Sequence, residues 1–211
     1  MTDNNNQRLG ADFYTNTDVC EVAKSLLGKT LISQIDGVRT SGIIVETEAY
    51  SYKEKACHAY MNRNTKRTYV LFGKGGIAYV YLCYGIHKLL NIVTNVEGAA
   101  EAVLIRAIEP QEGIEFMIER RGLSKKSYAL TSGPGKLSQA LGITMKHNNT
   151  NLFGDQLWIE EGKESLAEIE TSPRIGVAYA EEDALLPWRF SYAKNPWVSK
   201  GNNRYHNVLS S

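Results

Sequence analysis

The amino-acid sequence predicts an α+β fold, a single compact domain in which a curved, mostly antiparallel sheet is flanked by helices. Three observations predict it. The chain has 211 residues, of which 43% are apolar, which suits one hydrophobic core. Segments patterned as strands outnumber segments with helical spacing. Two β-prone runs flank the dipeptide Asp36-Gly37, a tight-turn sequence that folds neighbouring strands antiparallel.

Taken in order, residues 1–10 are polar and asparagine-rich and are expected to form a disordered tail, with order beginning near Phe13 and one domain over 11–211. Thr17 offers an N-cap to DVCEVAKSLLGK, where Val19, Val22, Ala23, Leu26 and Leu27 recur at helical spacing before Gly28 as a stop. KTLISQIDGVRTSGIIVETEAY then reads as a hairpin. IAYVYLCY, LLNIVTNV and AVLIRAIEP are further strands, and EGIEFMIERRG is a helix closed by Gly122. TSGPGKLSQALGI opens with turn chemistry at Ser132, Gly133 and Pro134 and continues as a short helix. PRIGVAYA and WRFSYA are expected as closing strands.

Composition narrows the function classes. Cys20, Cys57 and Cys83 are odd in number, far apart and without CxxC spacing, so neither a disulfide framework nor a zinc site is indicated. No signal-type segment and no run of eighteen apolar residues is found, so a reducing cytoplasm is expected, at the nucleoid if the source is bacterial. The formal net charge is only +1, yet charges are segregated along the chain. Lys53, Lys55, Arg63, Lys66, Arg67, Lys74 and Lys88 face Glu54 alone between 52 and 90, whereas acids dominate from Asp155 to Asp183. This fits a basic face turned to phosphates with an acidic face turned away, and equally two solvated faces without function.

Strand alternation puts Glu46, Glu48 and Tyr50 on one face of IIVETEAY. Residues two apart in a strand are roughly 7 Å apart, near enough for burial and repulsion to raise one carboxyl pKa and prepare a general base. A solvated face whose acids pair with Lys or Arg would have the same spacing. YVYLCYG carries Tyr79 and Tyr81 on one strand face and presents Tyr84 out of alternation before Gly85. Exposed rings of this kind stack on bases or wedge between them, while a buried tyrosine strand is the structural alternative. His58 is ambiguous in the same way, although it lies close to the cations at Arg63 and Arg67. Arg106, inside the apolar run AVLIRAIEP, requires a carboxylate or phosphate partner if it is buried.

Six segments occur together: VETEAY, YVYLCYGIHKLLNI, LIRAIEP, SGPGKLSQALGI, RIGV and NPWVS. In content and order they resemble the alkyladenine (3-methyladenine) DNA glycosylase family, over about Leu9 to Ser199. The resemblance implies a monofunctional enzyme that flips alkylated or deaminated purines from duplex DNA and hydrolyses the N-glycosidic bond, without metal or cofactor, as a monomer. It makes Glu48 the general base, Glu46 a supporting acid, and Arg106 and the Ile175 carbonyl partners of the attacking water. Tyr50, His58 and Tyr81 line the base pocket, Asn91 rejects normal guanine through its exocyclic amino group, and Tyr84 fills the vacated space in the duplex. Arg63, Lys66 and Arg67 read as a phosphate-binding loop, and Lys53 and Lys55 as further phosphate contacts. Between Tyr50 and His58 the interval SYKEKAC is one residue shorter than the family pattern and lacks its Gly-Pro.

Two readings from other classes compete. A metal-dependent nuclease would use Glu46, Glu48 and His58 around Mg²⁺ or Mn²⁺ and lose activity in chelator. A single-stranded nucleic-acid module would stack bases on Tyr79 and Tyr81 without turnover.

Overall fold

Asp36 and Gly37 both take positive φ, 54° and 77°, and fold β1 (Thr30–Ile35) back onto β2 (Val38–Ser51). A turn of that hand matches the twist of the strands it joins, as the Asp-Gly dipeptide predicts. The structure, a computed structural model, describes residues 8–162 and 167–201. Within them β2 is the spine. One side pairs with β5 (Glu101–Glu112); the other pairs first with β1 and then, over Glu46–Glu48, with β8 (Arg189–Tyr192). The sheet continues through β4 (His87–Thr94) and β3 (Ala78–Cys83) beyond β5, and through β6 (Leu157–Glu160) beyond β1, while β7 (Ile169–Ser172) pairs with β8. All these pairings are antiparallel.

Irregular register bends the spine. β2 slips against β5 at Ser41/Gly42 and on both sides of Glu46, and such bulges increase local twist and re-aim side chains. At Gly42 a Cβ would stand 2.8 Å from Ile108 Cδ1 and 2.9 Å from the Glu109 carbonyl, so close approach of the strands requires glycine there.

Helices cover one face. α1 (Ala11–Tyr14) is short; α2 (Val19–Ser25) buries Val19, Val22 and Ala23. Its N-cap is Asp18, whose carboxylate accepts from the N–H groups of Cys20 and Glu21, and not Thr17 as predicted. α3 (Ile114–Arg120) is followed by Gly122 at φ 61°, and α4 (Pro134–Ala140) starts on the proline of the SGPG turn. The main core lies beneath them, with Leu31, Ile44, Ile92, Ile105, Met117 and Leu137 fully buried. On strand β3 the alternate residues Tyr79 and Tyr81 face a second, smaller cluster with Cys57, Val70 and Leu71.

Two sequence expectations are corrected. Residues 8–10, assigned to the tail, are built into the fold: the Leu9 N–H donates to Ile159 O and Leu9 is buried. Residues 1–7 lie outside the described residues. PRIGVAYA is not a strand, because Gly176 sits at φ 81° and a 3-10 segment, Ala178–Leu185, begins within it. Among the described residues no helix is long and apolar enough to cross a membrane, and all three cysteines are free.

Candidate active site

The two acids of VETEAY lie on one face of β2 and are fully buried. Arg106 reaches both from β5, with Nε 3.0 Å from Glu46 Oε1 and Nη1 3.2 Å from Glu48 Oε2. The apolar context of this arginine had predicted such a partner, and two carboxylates supply it. Burial works against the guanidinium charge, but Glu48 and Glu46 outweigh it and hold the Arg106 pKa above its ordinary value.

Glu46 is a structural hub. It accepts from Arg189 Nε at 2.7 Å, from the Ser199 N–H at 2.7 Å and from Ser199 Oγ at 2.9 Å, besides Arg106. Burial pushes its pKa up, but the charges of Arg106 and Arg189, with the Ser199 N–H, hold it below the ordinary carboxylate range. The repulsion expected between the two acids is therefore offset by Arg106, which both share, and by Arg189 beside Glu46.

Glu48 has a different shell. Its Oε1 accepts from the Ile175 N–H at 2.7 Å, and its Oε2 from the Tyr50 hydroxyl at 2.8 Å as well as from Arg106. The sequence reading assigned the Ile175 carbonyl to the site, whereas the group that touches Glu48 is the amide N–H. Tyr50, Arg106 and Ile175 in turn line a cleft of about 960 Å³, so Glu48 lies immediately behind its wall. Burial first, then the Glu48 charge, keeps the Tyr50 hydroxyl protonated by raising its pKa.

The remaining predicted pocket residues also line this cleft. Tyr79 and Tyr81 stack at 5.6 Å with 25° between planes, and His58 meets Tyr81 edge-on at 4.6 Å. His58 Nδ1 lies 3.0 Å from the Tyr79 hydroxyl and Nε2 3.3 Å from Arg67 Nη2. Burial, and secondarily the Arg67 charge, depress the His58 pKa to about 4, so the ring is neutral near pH 7. The shortened interval before it does not prevent His58 from reaching the aromatic wall. Asn91, across from Tyr79 on β4, is buried and donates from Nδ2 to Tyr79 O at 3.2 Å, which fixes its amide. Tyr84, at φ 50° beside Gly85 at φ 72°, stands on the turn between β3 and β4 and is 86% exposed.

Not every predicted contact stands where the sequence put it. Arg63 and Lys66 are exposed on the loop before Thr68, whereas Arg67 turns toward the cleft, its guanidinium 5.3 Å from the Tyr81 ring centre. Lys55 is tied to Glu181 and its backbone N–H donates to Asp183. The two-face reading of the charges is thus corrected at this point: acids from the 155–185 stretch pair with cations from elsewhere, as Asp155 also does with Arg8 and Glu161 with Lys29. Lys163 and Glu164 of that stretch lie outside the described residues.

Sequence reasoning missed a second buried ion pair. Arg174 donates to both oxygens of Glu54 at 2.8 Å, to Ala49 O at 2.9 Å and to Asp183 O at 3.0 Å, while its guanidinium lies 4.8 Å from the Tyr50 ring centre. It thereby fixes the backbone on which Ile175 approaches Glu48. The rule applied to Arg106, that a buried guanidinium requires a partner, also applies to Arg174, but nothing local marks residue 174 as buried. Arg189 and Ser199 were missed for the same reason. Gly133–Lys136 and Gly176–Tyr179 complete the cleft wall. As for a metal centre, among the described residues no three His, Cys, Asp or Glu side chains come together as ligands, and Glu46 and Glu48 are committed to arginines.

The family model for methylpurine-DNA glycosylase matches residues 12–196. A protein of Chlamydia felis named as a 3-methyladenine DNA glycosylase is 50% identical over 184 residues, covering 86% of this chain and 94% of its own. One of Clostridium acetobutylicum with that name is 48% identical over 200 residues, covering 91% and 97%. Another, from Bacillus cytotoxicus, is 47% identical over 194 residues, covering 87% and 95%.

Proposed function

Since the chain belongs to the methylpurine-DNA glycosylase family, we propose that it is a monofunctional DNA glycosylase, removing alkylated or deaminated purines flipped out of duplex DNA. The observation that carries this reading is Glu48, a fully buried carboxylate directly behind a tyrosine- and histidine-lined cleft. A flipped purine needs aromatic surfaces on which to stack, and its sugar needs a water aimed at C1′. Tyr50, His58 and Tyr81 supply the first, and Glu48 supplies the base.

The chemistry is a hydrolysis. Water attacks C1′, its proton passes to Glu48, and the electrons of the C1′–N bond leave with the base. Arg106, charged and shared between both acids, keeps Glu48 aligned and balances its charge until the proton arrives. The Tyr50 hydroxyl donates to Glu48 Oε2, and the attacking water takes the place of that donor when its proton passes to Glu48. The Ile175 N–H holds Oε1, and the Ile175 carbonyl is the further acceptor proposed for the same water. Charged alkylated purines leave readily; hypoxanthine and ethenoadenine require more from the pocket. Asn91, fixed by Tyr79, excludes the 2-amino group of normal guanine. Tyr84 occupies the gap left in the duplex, and Arg63 and Lys66 contact phosphates. The described residues of one chain line the cleft without a second copy, which supports a monomer.

The test is release of free base from duplexes carrying hypoxanthine, ethenoadenine or 7-methylguanine, in EDTA, by wild type and Glu48→Gln. Base should appear with wild type, leaving an abasic site that breaks only on alkaline heating, and the variant should bind without turning over. Activity lost to chelator, or direct strand breaks, would favour metal-dependent nuclease chemistry and overturn this assignment.

A further inference from the structure

A second exposed tyrosine lines the cleft. Tyr179 is 64% exposed and comes from the 3-10 segment Ala178–Leu185, whereas Tyr84 comes from the turn between β3 and β4.

The backbone turns this ring outward. Gly176 at φ 81° and Glu181 at φ 55°, ψ −123° bracket the stretch, and the second lies outside the regions that residues with side chains favour. Between them Val177 and Ala180 are buried against Ala56, which leaves Tyr179 on the cleft side. Its hydroxyl donates to Ala56 O at 3.0 Å and so restrains the ring, which lowers the entropy lost when a ligand packs on it. Strain that holds an aromatic ring in water suits a binding surface better than a core.

What meets the ring follows from Ile175, four residues earlier on the same segment, whose N–H holds Glu48. Glu48 serves C1′ of the flipped nucleotide, so the strand carrying that sugar runs past this segment. Lys55 is held there by Glu181, and Glu182 is exposed beside it, so the local charge disfavours a phosphate at the ring. The apolar face of a nucleotide is the partner that remains, and aromatic rings stack on such faces whatever the base. We propose that Tyr179 is a binding residue for the damaged strand, packing on the nucleotide next to the flipped one. Tyr84 fills the gap inside the helix, and Tyr179 holds the strand outside it. This rests on the glycosylase reading above.

The test titrates a duplex carrying one hypoxanthine, at several salt concentrations, with wild type, Tyr179→Phe and Tyr179→Ala. Phenylalanine keeps the ring and loses the hydroxyl; alanine loses both, and the position is exposed, so the core stays intact. Tyr179→Ala should weaken binding about five- to a hundred-fold, the range for one aromatic stack, with the salt slope unchanged, while Tyr179→Phe stays within about three-fold. A duplex whose undamaged strand is gapped opposite the lesion and its neighbours should show the same loss. If the loss vanishes there, the contact is with the other strand and the proposal is overturned. Equal losses for the two variants overturn it in favour of a hydroxyl latch on Ala56, and wild-type binding by Tyr179→Ala overturns it outright. Release of hypoxanthine by wild type from the same duplex tests the glycosylase reading separately: with release and unaltered Tyr179→Ala binding only this role falls, and without release the reading falls and takes this role with it.

Discussion

His58 gives the site a pH dependence whose sign follows from its surroundings. Its ordinary pKa of 6.5 is depressed to about 4, by burial first and the Arg67 charge second. Above pH 6.5 the folded and unfolded chains both hold it neutral, and it does not affect stability. Between 6.5 and 4 only the unfolded chain binds the proton, so stability falls with acid across that window. Glu46 acts lower: its pKa is held below the ordinary 4.5, so its stabilisation is complete above 4.5 and is lost as pH falls through the lowered value. His58→Gln should therefore flatten the urea midpoint against pH between 6.5 and 4 while leaving the steeper acid limb. An unflattened profile would assign that titration to another group. Individual residues were legible where their chemistry was out of place, as with Arg106 in an apolar strand. Glu54 and Arg174 were not, since the bond that makes them a pair spans 120 residues of chain.

At the scale of elements, the hairpin β3–β4 carries exposed apolar side chains at its turn. Its tip exposes Leu82, Tyr84 and Ile86 at 43%, 86% and 65%, and Tyr84 holds a left-handed φ that favours glycine. A ring in that position contributes little to folding, so Tyr84→Ala should alter stability by less than about 0.5 kcal/mol in a thermal melt. Binding to a lesion paired in duplex should weaken clearly, and binding to a bulged lesion less, because the bulge is already unstacked. Equal losses on the two substrates would remove the wedge. This hairpin was legible because strand alternation broke at Tyr84 before a glycine. The bulge beside Glu46 was not, since nothing in VETEAY announces that Val45 lies opposite no residue of β5. PRIGVAYA misled for a related reason: its β-branched residues imitate a strand, while Gly176 and the Arg174 contacts turn it across the site instead. Short apolar runs carry no information about which surface they will meet.

Over the whole molecule, charge decides how DNA is found before any base is read. A net charge of +1 provides little overall attraction, so the cations that remain unneutralised dominate the local field. The ion pairs divide them. Lys55 is bound to Glu181, Arg174 to Glu54, and Arg106 and Arg189 to Glu46. Arg63 and Lys66 form no ion pair among the described residues and stand exposed on the loop leading to the cleft. Along the chain Lys55 and Lys66 look equivalent, and only the fold separates them, because Glu181 is brought from a distant segment to one and not to the other. Each phosphate contact contributes about 0.9 to the slope of log K against log salt. Arg63→Gln with Lys66→Gln should therefore reduce that slope by about 2, and Lys55→Gln should leave it nearly unchanged. Titrations of a lesion-containing duplex at several salt concentrations measure both. If Lys55→Gln lowers the slope as much as either loop substitution, the Glu181 pair opens on DNA and the basic stretch acts as one surface, as its sequence alone would have it.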